Sequence, residues 1–300
     1  MSARPRPRPR QERIERWTGI GFVTPAMIVF AVTSLLPLAV LLGLSVTDYE
    51  LGAVDVRHLG TANFAKALGD PVFRRSVWNT LLYVAIVLPG AVGLGLLVAV
   101  LVHGRRRSRS FYEVVYFLPV TSTLIAMATV WQFLLHPRLG PVNAFLRLLG
   151  VGEIAFLSDP ALALPTLAVV GIWQLLGFNM VLFLAGLSAI PRDLYEAAEI
   201  DGCVSPLDRF LTITWPLLTP TTMFVVVTTS ITAFKIFDTV AVMTRGGPMG
   251  SSEVLLYTIY LEGFQYFHMG YAAALTVVFL AFILVFSAVQ SLVIEKRVHY

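Results

Sequence analysis

Charge is scarce in this sequence. Asp, Glu, Lys and Arg make up 13% of its 300 residues, against roughly 25% in a soluble domain. With 57% hydrophobic residues and a mean hydropathy of +0.77, a water-soluble globule is excluded. Lysine occurs only as Lys66, Lys235 and Lys296, and no Gly-x-x-x-x-Gly-Lys-Ser/Thr run exists. The chain therefore cannot cradle ATP in a phosphate-binding loop, and any ATP-derived energy comes from another subunit. Cys203 is the one cysteine, so no internal disulfide forms, and a small packing role suits it. No carboxylate lies deep in an apolar block, which disfavours a transporter driven by an ion gradient. His58, His103, His136, His268 and His299 all fall outside those blocks. The blocks hold no Ser/His pair, no His-Glu-x-x-His and no carboxylate pair, which disfavours an intramembrane enzyme.

What is present is long apolar runs. Thr18–Thr47, Ser76–Val102, Val114–Leu135, Ala161–Ile190, Leu211–Phe234 and Met269–Ile294 contain no Lys, Arg, Asp or Glu. Each reaches the length of about 20 residues that a spanning helix needs. Lipid offers no hydrogen-bond partners, so backbone groups must pair within each segment. Continuous Leu-, Val- and Ala-rich runs, without polar alternation, exclude a barrel. The fold class is an all-α integral membrane protein with six transmembrane helices. Pro25, Pro37, Pro89, Pro119, Pro165 and Pro220 fall inside the runs and predict kinks.

Basic residues set the orientation. Arg4, Arg6, Arg8, Arg10, Arg13, Arg16, Arg105, Arg106, Arg107, Arg109, Arg192, Arg209, Lys296 and Arg297 lie on one side. Arg57, Lys66, Arg74, Arg75, Arg138, Arg147 and Arg245 lie on the other. The richer side is expected to be cytoplasmic, with both termini there. The first span is too long for a cleaved signal sequence and is read as retained. The expected layout is a basic tail over 1–17, a membrane domain over 18–294 and a short tail over 295–300. The Arg-Pro repeat reads as a topology anchor rather than a nucleic-acid arm. Short helices are expected near Asn63–Leu68 and Ala144–Leu149, and a tight turn at Gly246-Gly247-Pro248.

The segment from Pro191 to Trp215 is the least ordinary. Pro191 suits a helix start and Gly202 a left-handed stop, with a helix of about ten residues between them. Ser205-Pro206 starts a second short helix, so helix, turn and helix lie across the membrane surface. The first helix combines Leu194, Ala197 and Ala198 with acidic Asp193, Glu196 and Glu199. Helices that rest on anionic lipid are usually basic, so an acidic one favours a protein partner.

Glu196-Ala197-Ala198, Asp201-Gly202, Ile213 and Pro216-Leu217 resemble the EAA loop of bacterial ABC importer permeases in spacing and in position before the penultimate span. Ala185-Gly186-Leu187, Ile190-Pro191, Tyr195, Phe237-Asp238, Thr244-x-Gly246-Gly247-Pro248 and Gly270-Tyr271-Ala272-Ala273 are similar to the carbohydrate-type subfamily. Cys203 departs from the usual Ala. The resemblance covers almost the whole chain and implies a type I importer permease fold. It implies a bacterial inner-membrane subunit with no cofactor of its own, the ATP and Mg being held by a partner ATPase dimer. Glu196, Ala197, Ala198, Asp201 and Gly202 would couple to that ATPase. A second six-span permease and an extracytoplasmic solute-binding protein complete the implied assembly. No nucleic-acid partner is implied.

Polar groups inside spans usually face a cavity or another helix. Trp173, Gln174, Gly177 and Asn179 in the fourth span, and Thr229, Thr232, Lys235 and Asp238 at the fifth, are the candidate solute-lining residues, a sugar pocket by resemblance. Aromatic faces, amides and hydroxyls would suit a sugar. Threonines also bond back to their own helix or bridge helices. Lys235 and Asp238, near the outer end, would neutralise each other or snorkel, or Lys235 would attract an anionic solute such as a glycerol phosphate ester. Disaccharide, monosaccharide, polyol and glycerol phosphodiester all remain open.

Overall fold

A computed structural model describes residues 9–53, 60–105, 107–203 and 205–295. Arg4, Arg6, Arg8, Arg57, Arg106, Lys296 and Arg297, with His58 and His299, lie outside the described residues.

The regular elements are helical. The first span is α1 (Pro9–Phe30), a π turn (Ala31–Leu35) and α2 (Leu36–Ser45). The short α3 (Ala62–Gly69) precedes the second span, α4 (Pro71–His103). The third apolar run holds α5 (Arg109–Thr121) and α6 (Leu124–Leu134), followed by the short α7 (Pro141–Leu148). The fourth span is α8 (Ala163–Ala189), followed by α9 (Arg192–Ile200). The fifth runs from α10 (Pro206–Arg209) through a π turn (Phe210–Thr214) into α11 (Trp215–Phe234). Further on come a π turn (Val240–Thr244), α12 (Leu255–Tyr260), another π turn (Leu261–Gln265) and α13 (Met269–Glu295), the sixth span. Among the described residues, five helices are long and apolar enough to cross a membrane, six when the bent α5–α6 pair counts as one span.

Two expectations change. The third run is broken: α6 leaves α5 at 99°. Ser122 and Thr123 are extended (ψ 148° and 134°). Pro119 removes one helical donor just before the break. The Thr121 and Ser122 hydroxyls both donate to the Leu118 carbonyl, at 2.9 and 3.4 Å, which supplies donors where the ladder stops. The second change concerns Ser205-Pro206, which does open a helix, with Ser205 at its N-cap and Pro206 in its first turn, but not a separate one lying on the surface. It opens a run that continues through Phe234. The two π turns inside spans share one arrangement, because each ends two residues before a proline, Pro37 and Pro216. The Leu36 amide reaches back to Ala31 O and the Trp215 amide to Phe210 O. The widened turn keeps a donor in play where proline withholds its own. The helices run on through Pro25, Pro89 and Pro220.

The chain forms two compact units, 1–65 with 262–277, and 66–261 with 278–300. In the first, the window of α1 and α2 that is apolar enough to span has no buried residue, as befits a lipid-facing helix. Its far end is held by backbone bonds: Gly270 N–H to Tyr49 O (2.8 Å) and Leu51 N–H to Phe267 O (2.9 Å). Asn63 Nδ2 adds bonds to the Ser45 and Thr47 carbonyls.

In the second unit, α8 packs against α4, α5 and α11. Ala99, Val102, Met180, Phe183, Leu187, Leu218 and Val225 form its core. Phe234 of α11 meets Phe282 and Phe286 of α13 edge-on, and Gln290 Nε2 donates to Ser230 Oγ at 2.9 Å. The loop from Gly246 to Val254 is fastened to the start of α4. Asn79 Nδ2 donates to the Gly250 and Glu253 carbonyls (3.0 and 2.9 Å). Thr80 Oγ1 accepts from Leu255 N–H at 2.9 Å, and Arg75 pairs with Glu253 at 3.3 Å. Asn79 is buried, so these bonds are shielded from water. Asn79→Ala should cost about 2 kcal/mol, roughly 1 per bond. A thermal midpoint lower by about 5 °C in detergent is the expected reading.

Candidate coupling segment and solute cavity

α9 begins after Pro191 and stops at a left-handed glycine. Gly202 has φ +87°. Its N–H donates to Glu199 O (3.2 Å), and the Cys203 N–H reaches Ala198 O (2.9 Å). These two bonds are a Schellman stop, and the sign of φ makes Gly the residue of choice there. Along α9 only Tyr195 and Ala198 are half-buried, and the other residues are exposed. Ile200 is 88% exposed and Leu194 43%, so the helix offers apolar as well as acidic surface. The acidic row is not uniform. Glu199 is tied to Arg209 at 3.3 Å, while Glu196 and Ala197 stay outward and exposed. Asp201 caps the helix, its N–H on Ala197 O at 3.0 Å. Arg209 Nε also donates to Cys203 O (2.9 Å), and the Tyr195 hydroxyl meets Thr214 Oγ1 (2.9 Å). Neither tie was read from the sequence. Both join residues that are far apart in helical register, and no periodicity signals them.

The other end of α11 borders a cavity of about 270 Å³, where α4, α8 and the start of α6 also contribute. Gln174, Thr232, Lys235 and Asp238 all line it, with Tyr83 and Phe237. The other four candidates do not. Asn179 and Thr229 are 0% and 2% exposed and bond to each other, Thr229 Oγ1 to Asn179 Oδ1 at 3.0 Å. They are buried and bridge α8 and α11 through this one bond, and Asn179 Nδ2 finds no partner among the described residues. Gly177 gives close approach: a side-chain carbon there would collide with the Tyr116 carbonyl of α5. Trp173 packs edge-on against Trp131, ring centres 5.3 Å apart. Thr232 both lines the cavity and bonds back to Thr228 O at 2.9 Å. Among the described residues Lys235 has no carboxylate within 4 Å, so Asp238, three residues on, does not neutralise it. Tyr83 went unread in the sequence. Its only signal is a hydroxyl-bearing ring in mid-span, and it lies against Gly171, which leaves room for it. A second cleft, of about 740 Å³, is lined by Gln132, His136, Arg138, Glu153, Thr244 and Pro248 among others.

The family described as the inner membrane component of binding-protein-dependent transport systems matches residues 91–299. The chain belongs to that family. As a member it is an ABC transporter permease, a multi-pass component of the inner membrane. A probable ABC transporter permease of Pyrococcus horikoshii is 32% identical over 270 residues, covering 89% of this chain and 91% of that one. The sn-glycerol-3-phosphate transport system permease UgpA of Agrobacterium fabrum is 31% identical over 285 residues, covering 93% and 94%. In structure, a chain of a bacterial alginate ABC transporter, in complex with an alginate pentasaccharide-bound periplasmic protein, superposes with TM-score 0.82. That likeness covers 93% of this permease and 95% of that chain at 22% identity, and it supports the fold.

In this permease the stop at Gly202 sets the length and exit direction of α9. Gly202→Ala should cost about 1–2 kcal/mol for a side chain in the left-handed region. Limited tryptic digestion should then cut after Arg209 faster than in the parent.

Proposed function

We propose that this permease is the membrane-spanning subunit of an ATP-driven, binding-protein-dependent importer for a sugar or sugar-like solute. The observation that carries this reading is α9: a short acidic helix, ended by a Schellman glycine, with Glu196 and Ile200 outward and uncovered. Its α9 side bears the excess of basic residues and is the cytoplasmic side, with both termini there. Glu196, Ala197, Ala198, Asp201 and Gly202 form the docking element for a cytoplasmic ATPase dimer, which holds the ATP and Mg. The carboxylate of Glu196 meets a basic residue of that subunit. A second, similar permease completes the pathway, and a solute-binding protein delivers cargo to the outer mouth. The alginate transporter's complex with a periplasmic protein supports the last point.

The test is reconstitution of all subunits in vesicles. Glu196→Arg should lower binding-protein-stimulated ATP hydrolysis about tenfold or more, the scale of losing and reversing an interfacial charge. Unimpaired uptake in that variant would refute the docking assignment. So would solute movement by the purified chain alone, which is the behaviour of an ion-coupled transporter.

A second reading concerns the cargo. The unpaired Lys235 ammonium on the cavity suits an anionic solute, a glycerol phosphate or glycerophosphodiester, and several relatives are named as sn-glycerol-3-phosphate permeases. Uptake assays with Lys235→Gln separate the two. If the cargo is a phosphate ester, KM should rise about tenfold, the loss of one charge-assisted bond. If it is neutral, KM should stay near the parental value.

A further inference from the structure

The π turn Phe210–Thr214 is the mechanically soft point between α9 and the fifth span. In a π turn the regular i→i−4 ladder is interrupted, and such turns are where helices yield. α9 and the turn after it grip both ends of this one. On the near side, Arg209, the residue just before the π turn, donates from Nε to Cys203 O (2.9 Å) and pairs through Nη2 with Glu199 (3.3 Å). On the far side, Thr214, the last residue of the turn, meets the Tyr195 hydroxyl at 2.9 Å. Thr214 Oγ1 also lies 3.5 Å from Arg209 O, its acceptor. With the threonine proton directed there, the tyrosine is the donor to Thr214. Thr214 is 7% exposed, so this bond is shielded from competing water. The contacts therefore bracket the five-residue turn, Arg209 holding its near end and Tyr195 its far end.

We propose that Tyr195 and Arg209 are positioning residues that splint this π turn. A displacement of α9 then passes into α11, and so to Thr232 and Lys235, instead of being absorbed as flexing at Phe210–Thr214. The distance bridged is large: the 29-residue run from Pro206 to Phe234 spans about 43 Å at 1.5 Å per residue. A soft joint at its base would waste the stroke. The inference rests on the reading of α9 as the ATPase-docking element, and it adds residues that do not touch the ATPase.

The experiment uses the complete transporter in vesicles with its binding protein. It reads three quantities: ATPase subunit captured by the permease, stimulated ATP hydrolysis, and solute imported per ATP hydrolysed. Tyr195→Phe removes one oxygen, and Arg209→Gln removes the charge and the fork. Both should capture ATPase and hydrolyse ATP as the parent does, while solute per ATP falls about fivefold, the population shift one lost hydrogen bond permits. Arg209→Lys, which keeps the pair with Glu199 but not the fork, should fall between. If Arg209→Gln does not assemble, Tyr195→Phe carries the test alone. A parental ratio in Tyr195→Phe overturns the proposal, and so does a lowered ratio accompanied by lost ATPase capture. If instead Glu196→Arg leaves ATPase capture intact, the docking reading fails first, and the splint has no stroke to transmit.

Discussion

The whole structure answers to one constraint: in lipid, every backbone N–H and C=O must find a partner inside the protein. That is why the regular elements described here are helices. It also explains the form taken by the departures from helix. Ahead of Pro37 and Pro216 the helix does not simply lose a bond. It widens by one residue, so that a later amide reaches a carbonyl one step further back. At Ser122 and Thr123 the helix ends altogether, and hydroxyls at 121 and 122 supply the donors. Each irregularity is a local solution to the same shortage of solvent.

That constraint connects the two ends of the fifth span. At one end, α9 leaves Glu196, Ala197 and Ile200 uncovered while Tyr195 and Glu199 tie it to the base of the span. At the other, Lys235 faces a cavity without a counter-ion. An ammonium deep in lipid would be expensive, but Lys235 is exposed at the end of the span, where water can reach it. Between the ends runs one helix with a single widened turn, and both ends of that turn are tied to the α9 segment. On the proposed reading, docking surface, transmission and cargo contact lie along one continuous stretch of sequence.

Much of this was legible in the residues. Spans one, two, four and six appear within a few residues of where the uncharged runs place them. Gly202 marks the end of α9, because only the sign of its φ was at stake. What could not be read depends on which neighbour a polar group meets. Thr229 and Thr232 look alike in sequence, one helical turn apart. The structure gives the first to Asn179 and the second to the cavity. Gly177 reads as a lining residue until the Tyr116 carbonyl is seen beside it. The break in the third run was hidden for a different reason. An apolar run reports length and hydrophobicity, and a bend of 99° changes neither.

That bend also bears on how the protein enters the membrane. The two arms, 13 and 11 residues, measure about 20 and 17 Å, and neither alone bridges a hydrocarbon layer of about 30 Å. Leaving a translocation channel by itself, this stretch would strand the Ser122 and Thr123 peptide groups in oil. In the folded bundle α8 lies against the first arm, with Gly177 beside the Tyr116 carbonyl, so the arm leading into the corner is covered on that side by protein rather than left to lipid.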